Sequence, residues 1–348
     1  MAALTRSPRA GARPPVPGEG VAIASLWREL WDAHENWGGY PGTRDPAVYA
    51  HLARRLDDEA RARAGRPVLG GHLHLIASLG HEPCGQVEAW LEQTGPGSGE
   101  TRTCEVRSLI VADWARRLGV GRVLLDAIQE TVRSHFRGAP CAMAAEVLEP
   151  NPAHGFYARV GFVPVAWSAQ LDASHVAGMD AGTRGFSARY AAPDDALAIA
   201  HLEGILAARR RASGPGRFGA PPRIDVVLLG TIASGVAEDV ASALGDHATL
   251  VVTDRAGIVR GAASVQVQTL EPPFLPLRRG LVGRFSFDPA GSVPALAAPL
   301  IELGARFAAS RGAARVEFLD LTAPGTALYD AVLAVGARPW SRVVTRPA

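Results

Sequence analysis

The chain repeats itself once along its length, which limits it to folds that can be assembled from two like halves. Residues 12–26, ARPPVPGEGVAIASL, and 188–202, ARYAAPDDALAIAHL, share Ala, Arg, Pro, Ala, Ile, Ala and Leu at an offset of 176. His72 and Leu75 of HLHLIASL meet His247 and Leu250 of HATLVVTD, and Asp113 meets Asp288. RGA at 137–139 recurs at 311–313, and GFVP at 161–164 recurs as GARP at 336–339. Ordered matches at this spacing are far too long for a solenoid and predict two tandem copies of one domain. The length of 348 residues also exceeds the usual single-domain size. The expected division is 1–178 and 184–348, joined through the Gly/Ala-rich segment LDASHVAGMDAGTRG at 171–185.

Composition narrows the function class. With 47% apolar and 20% charged residues the chain can bury two cores. A net charge of +2 gives no electrostatic case for nucleic acid or a membrane surface as partner. Every basic residue is Arg, as a GC-rich, bacterial coding bias would produce, so no Lys nucleophile, Schiff base or P-loop lysine is available. Cys84, Cys104 and Cys141 form no CxxC pair, and a reducing cytoplasm is expected. The N-terminus is basic without an apolar run, and no segment reaches 18 apolar residues.

The first copy reads as an α+β domain. A short strand near 12–14 precedes a helix over about 20–36 and a second helix from Pro46 to before Gly65. HLHLIASL and CGQVEAWLE form a strand pair across the 80–83 turn, and TCEVRSLIV is an alternating strand. A helix over about 119–136, the strand CAMAAEV, a short helix in PAHGFYARV and a strand from Gly161 complete it. The expected architecture is two such domains, each a mostly antiparallel mixed sheet flanked by helices.

The segment ARRLGVGRVLLDA (115–127) follows a strand and opens a helix. Four N–H groups at a helix start have no internal partner, and the macrodipole favours an anion there. Gly119 and Gly121 would open the backbone to a pyrophosphate, and Arg116, Arg117 and Arg122 could add charge-assisted contacts. The alternative is a turn that only caps a helix. A Walker loop is excluded by the absent Lys, and a dinucleotide fingerprint by Leu124 at its third glycine.

EVRSLIVADWARRLGVGRVLL (105–125), with R-x-x-G-x-G at Arg116, Gly119 and Gly121, followed by NPAHGFYARVGF (151–162), resembles the GCN5-related N-acetyltransferase family. The resemblance implies acetyl-CoA, or another acyl-CoA, as donor and a primary amine as acceptor. It implies that Leu109, Ile110 and Val111 line the pantetheine arm and that the segment Arg116, Arg117, Leu118, Gly119, Val120, Gly121 and Arg122 holds the pyrophosphate. Asn151 would add a cofactor contact, although Asn151 to Tyr157 spans six residues where seven is usual in the family. Tyr157 would be the general acid for the leaving thiolate, and Glu105 the base that deprotonates the amine. Tyr157 could also be a packing residue, and Glu88 is a second candidate base.

LWDAHENWGGYPG (30–42) gathers Asp32, Glu35, Trp37 and Tyr40 where the family's acceptor site is bordered, and carboxylates beside aromatic faces suit a cationic amine. His72 and His74 share a strand face without a third ligand, so no metal site is expected. At an offset of 175, Glu105 maps to Gly280, Gly119 to Pro294 and Gly121 to Leu296, so the second copy is expected to be degenerate. The expectation is direct transfer in a ternary complex to a small-molecule amine such as an antibiotic, polyamine or amino-acid derivative. Transfer to a protein or peptide N-terminus, or non-catalytic acyl-CoA binding as a scaffold, stays open. The two copies are expected to pack on each other, in a monomer or homodimer.

Overall fold

A computed structural model describes residues 10–93, 102–179, 185–213, 233–235, 237, 238, 240 and 245–348. The first nine residues, and 180–184 of the connecting segment with the expected domain start, lie outside the described residues. The first half contains β1 (Gly11–Arg13), α1 (Gly20–Asn36), α2 (Pro46–Arg63), β2 (Val68–Leu69), β3 (His72–Leu79), β4 (Glu82–Gln93) and β5 (Arg102–Val111). It continues with α3 (Val120–His135), β6 (Ala142–Leu148), α4 (His154–Arg159) and β7 (Val163–Asp172). The second half contains β8 (Phe186–Tyr190), α5 (Ala196–Ser213), β9 (His247–Asp254), β10 (Val259–Thr269) and β11 (Arg278–Phe287). It ends with α6 (Val293–Ser310), β12 (Arg315–Leu321), α7 (Ala327–Ala334) and β13 (Arg338–Pro347). The elements expected for the first copy all form.

Local chemistry explains the helices that matter most. In α1, Ile23, Ala24, Leu26, Leu30 and Trp31 recur at helical spacing and are buried. Helix α2 starts where Asp45 accepts a hydrogen bond from the Ala47 amide (2.8 Å) with Pro46 in its first turn. Val120, Leu124, Leu125, Ile128 and Val132 bury one face of α3. They pack on Leu73, Leu75, Val87, Cys104 and Val106 of β3–β5. On the opposite face α1 and α2 cover Ile76 and Ile110. Among the described residues no helix is long and apolar enough to cross a membrane.

The described strands join one sheet in the order β1-β3-β4-β5-β6-β13-β7-β12-β11-β10-β9-β8, with β2 beside β3. The order reveals a reciprocal exchange. The last strand of the second half, β13, pairs with β6 of the first, and the last strand of the first half, β7, pairs with β12 of the second. The two exchanged strands pair with each other, and Ser168 and Ser341 face one another with their hydroxyls 2.5 Å apart. Ser341 also donates to Glu146 of β6 (2.5 Å). The expected split near 178–184 therefore divides the repeats but not the sheet. Nor is the connecting segment merely a linker, since Leu171 lies in β7 and Val176 and Met179 pack in the core of the second half.

Val344 of β13 is buried in the core of the first half, opposite Ala145. Val344→Ala is expected to cost about 2 kcal/mol for two lost methyl groups and the cavity they leave. Hydrogen exchange should accelerate at the amides of β6, some 200 residues earlier in the chain. Loss of protection confined to the second half would contradict the exchange.

Candidate active site

The site begins with a slot in the sheet. β5 and β6 run parallel and pair only from Thr103 with Ala142 to Val106 with Ala145, although both strands continue. At the divergence Ala89 of β4 opposes Val106 and Glu88 opposes Ser108, which leaves Arg107 as the extra residue of a bulge. The bulge also resets the alternation. Leu109 and Val111 pack on the α3 side, whereas Ile110 packs against Leu26 and Leu30 of α1. The slot thus gives access to both faces of the sheet.

The loop between β5 and α3 sits at one end of the slot. Arg117 has φ +67 and Gly119, the residue before α3, has φ +84, a value that favours glycine. Among the described residues the amides of Arg117, Gly119, Val120 and Gly121 donate to no backbone carbonyl. These four amides are free for an anion, and the exposed Arg122 stands beside them. Arg116 does something else: it donates to the Val111 carbonyl (3.1 Å) and pairs with Asp113 (2.6 Å), bracing the loop. Leu118 is exposed and Val120 buried. At Gly121 an added Cβ would lie 3.2 Å from the Phe156 ring, so this glycine lets α4 pack on α3 rather than only opening the backbone to a ligand.

Helix α4 brings Tyr157 to the same side. The Asn151 carboxamide oxygen accepts from the Ala153 amide (2.8 Å), an Asx turn that sets the entry to the helix. Tyr157 is buried between Phe156 and Phe162, and burial pushes its pKa up, so the phenol stays protonated. Its hydroxyl has no hydrogen-bond partner among the described residues.

Across the sheet lies a cavity of about 340 Å³ lined by Trp27, Trp31, His51, Arg55, Glu88 and Arg107, among others. Pro272, Pro273 and Phe274 from the β10–β11 connection of the second half close one wall. They are held there by hydrogen bonds from the Thr43 amide to the Pro273 carbonyl (2.6 Å) and from the Leu275 amide to the Pro41 carbonyl (3.0 Å). Glu88 is largely buried, 3.4 Å from His72 Nε2 and 3.9 Å from His74 Nδ1. Burial pushes the Glu88 carboxyl up more than any other single cause, but the hydrogen bond from the His72 ring and the nearby His74, His72 and Arg55 together outweigh it and hold the group below its usual range. Burial lowers His74 to about 4, so it is neutral at pH 7. His74 Nδ1, Gln86 Nε2 and Ser108 Oγ on these strands are buried without hydrogen-bond partners among the described residues.

Residues 24–162 match the model of the acetyltransferase (GNAT) family. This part of the chain belongs to that family. No curated protein matches the sequence. Among solved structures, the chain resembles a GCN5-related N-acetyltransferase from Sphaerobacter thermophilus at 17% identity. That likeness covers 97% of this chain and 96% of that one, with a TM-score of 0.55. It also resembles a tandem GNAT protein from the clavulanic acid biosynthesis pathway at 18% identity, covering 98% of both chains with a TM-score of 0.50. The whole chain therefore has a tandem GNAT fold. Membership implies acyl transfer from an acyl-CoA.

Within this GNAT fold the expected acceptor residues scatter. Glu88 lines the cavity, but Asp32 and Glu35 both pair with Arg44. Trp37 packs on His34 (5.5 Å), which itself lines the cavity. Tyr40 points away into the contact between halves, donating to Glu317 of β12 beneath Arg279 and Arg315. Glu105 sits on the sheet surface, paired with Arg107 (2.9 Å), outside the cavity lining. Sequence reading missed Trp27, Trp31, His51, Arg55, Arg107 and Phe274. Only the i,i+4 pair of tryptophans left a signal, and it reads equally well as core. No group of three or more His, Cys, Asp or Glu among the described residues is placed to hold a metal ion.

The second half keeps the slot, since β11 and β12 pair in parallel only from Arg279 with Arg315 to Val282 with Phe318. Its GNAT loop is different. Measured from the repeat-matched Asp113 and Asp288 to the residue before the helix, six positions (to Gly119) shrink to four (to Ser292). Aligned at the helix start, Gly119 therefore corresponds to Ser292 and Gly121 to Pro294, which corrects the uniform offset of 175. Asp288 accepts from the Ala290 amide (2.9 Å) on its carboxylate and from the Gly291 amide (3.0 Å) on its carbonyl. Arg260 completes that internal ion site (2.7 Å). The buried Leu296 packs over Gly291. Where Glu88 faces His74, Ser264 faces Thr249.

His74 supplies a pH test. Its folded pKa of about 4 lies below the unfolded value of about 6.5. The unfolded chain therefore binds more protons between those values, and stability falls as pH drops from 6.5 to 4, by up to about 3 kcal/mol. In urea unfolding at pH 7 and pH 5, His74→Gln should flatten that fall. An unaltered slope would place the titrating group elsewhere.

Proposed function

We propose that the chain transfers an acetyl or similar acyl group from acyl-CoA to the primary amine of a small molecule, directly in a ternary complex, using the site of the first half. The observation that carries this is the placement of unpartnered loop amides and the Tyr157 phenol on one side of the slot and the Glu88 cavity on the other. The four free amides, the macrodipole of α3 and Arg122 fit a pyrophosphate. The unpaired edge of β5 beyond Val106 fits the amide groups of a pantetheine arm. When bound, acetyl-CoA supplies the thioester whose acyl carbon accepts the amine nitrogen.

Glu88 takes the proton from the ammonium, since a protonated amine has no lone pair to attack with. It is preferred to Glu105 because it is ionised, largely buried and inside the cavity. As the new N–C bond forms and the C–S bond breaks, Tyr157 donates its proton to the departing sulfur. Its raised pKa keeps that proton available at neutral pH. The cavity volume lies at the low end of the range for small-ligand pockets, roughly 300–1,000 Å³. That size and the wall at 272–274 favour a small amine over an extended peptide.

The second half is proposed to be non-catalytic, its loop amides being taken by Asp288 and its helix start blocked by Pro294. Calorimetric titration of the intact chain with acetyl-CoA should give one site per chain. Gly119→Pro should abolish that binding by removing an amide and the positive φ. Two sites per chain would overturn the assignment of the second half.

Free-thiol release with a panel of amines tests the chemistry. Glu88→Gln and Tyr157→Phe are each expected to lower kcat by about 10²-fold or more, with acetyl-CoA binding kept. Full turnover in Glu88→Gln would return the base role to Glu105, and full turnover in Tyr157→Phe would leave Tyr157 a packing residue.

A further inference from the structure

We infer that the acceptor is an amine that also bears a carboxylate close to its nitrogen, on an apolar or aromatic body: an amino acid or close analogue. This rests on the transfer reading above and deepens it. The charged groups lining the cavity are unequal: one carboxylate, Glu88, and two guanidiniums, Arg55 and Arg107. The partners of those guanidiniums, Glu59 (3.5 Å) and Glu105 (2.9 Å), lie outside the lining. Both arginines are solvent-exposed and their ion pairs, at 3.5 and 2.9 Å, are weakly held surface pairs, so either guanidinium can turn to a ligand.

A simple alkylamine would pair with Glu88 and leave the two guanidiniums of the lining with no ligand group to meet them. An amine with an adjacent carboxylate satisfies both signs. The spacing suits an α-amino acid, because Arg107 is the bulge residue beside Ser108, and Ser108 stands directly opposite Glu88 across β4 and β5. Arg55 approaches from α2, so a carboxylate would be met from two elements at once, with charge-assisted hydrogen bonds. The rest of the wall is apolar. Trp27 and Trp31 stack with centroids 5.1 Å apart, and Phe274 of the second half lies 6.4 Å from Trp31. These rings would receive the side chain, which makes Phe274 a specificity residue contributed by the half without a catalytic loop.

The test measures thiol release from acetyl-CoA with amines matched in hydrocarbon: phenylalanine against phenethylamine, leucine against isopentylamine, and phosphoethanolamine as the phosphate-bearing probe. In each matched pair the amino acid should have kcat/KM about tenfold or more above its carboxylate-free partner. Arg107→Met and Arg55→Met, both at exposed side chains that should not disturb folding, should each shrink that ratio about tenfold. Equal or better turnover of the carboxylate-free amines overturns the inference, as does an unchanged ratio in both variants. A ranking led by phosphoethanolamine replaces the carboxylate by a phosphate and overturns it too. These outcomes leave amine acetylation standing. Acetyl-CoA binding without transfer to any amine instead removes the transfer reading, and this one falls with it.

Discussion

The pairing of β13 with β6 is the constraint on which the rest of the molecule depends. β6 forms one side of the slot, and a strand with an unpaired outer edge would be free to twist or to seek another partner. Instead that edge is satisfied along its whole length, from Ser341 opposite Leu148 to Pro347 opposite Ala142. Side chains reinforce it: Ser341 donates to Glu146, Arg342 pairs with Glu149, and Arg346 donates to the Val160 carbonyl just after α4 (2.7 Å). The last contact ties the C-terminal strand to the helix that carries Tyr157. Held on this side, β6 keeps its distance from β5 beyond Val106, and the slot stays open.

The same exchange shapes the cavity across the sheet. With β7 and β12 paired, the second half lies against the α1–α2 connection, and Tyr40 bonds to the buried Glu317. Burial raises the Glu317 pKa, while Arg279 and the Tyr40 hydroxyl work against that rise. Arg315 donates to the carbonyls of Gly38 (3.0 Å) and Gly39 (3.3 Å), holding the turn after α1. That turn positions residues 41–43, which in turn hold the 272–274 wall. A cavity whose chemistry belongs to the first half thus takes part of its shape from the second.

Much of this was legible in the sequence, and what was not has physical causes. Period-2 and period-3.6 patterns gave the elements of the first copy, since alternation and helical stripes report local burial. Gly119 was legible in the sequence as opening the backbone to a ligand; its positive φ of +84 is a second reason for glycine there, which the sequence did not show. Strand exchange was not legible, because β7 and β13 have equivalent patterns and either could complete either sheet. Asp32, Glu35 and Tyr40 looked like substrate ligands by residue type. Asp32 and Glu35 are taken by Arg44 in the loop just after α1, and Tyr40 by Glu317, 277 residues away. The bulge at Arg107 was hidden for a related reason: a strand read by alternation alone carries no sign of its extra residue. Once inserted, that residue directs an arginine to the cavity and leaves Glu105 outside it.

The shorter loop of the second half accords with the proposed division of roles between the halves. What the second half gives the first is a strand, β13, and a wall, the β10–β11 connection, and neither depends on an open loop before α6. An unused cluster of loop amides is a cost when nothing binds there, because unsatisfied N–H groups are desolvated by neighbouring packing. A loop two residues shorter, closed on Asp288 and capped by Leu296, removes that cost and lets α6 bury Leu296, Leu300 and Ile301 completely. On the proposed function the first half could not make the same change, since every amide it satisfied internally would be one fewer for a pyrophosphate. Duplication thus separates two demands that a single-domain sheet must meet together: satisfying the backbone for stability, and leaving it unsatisfied for binding.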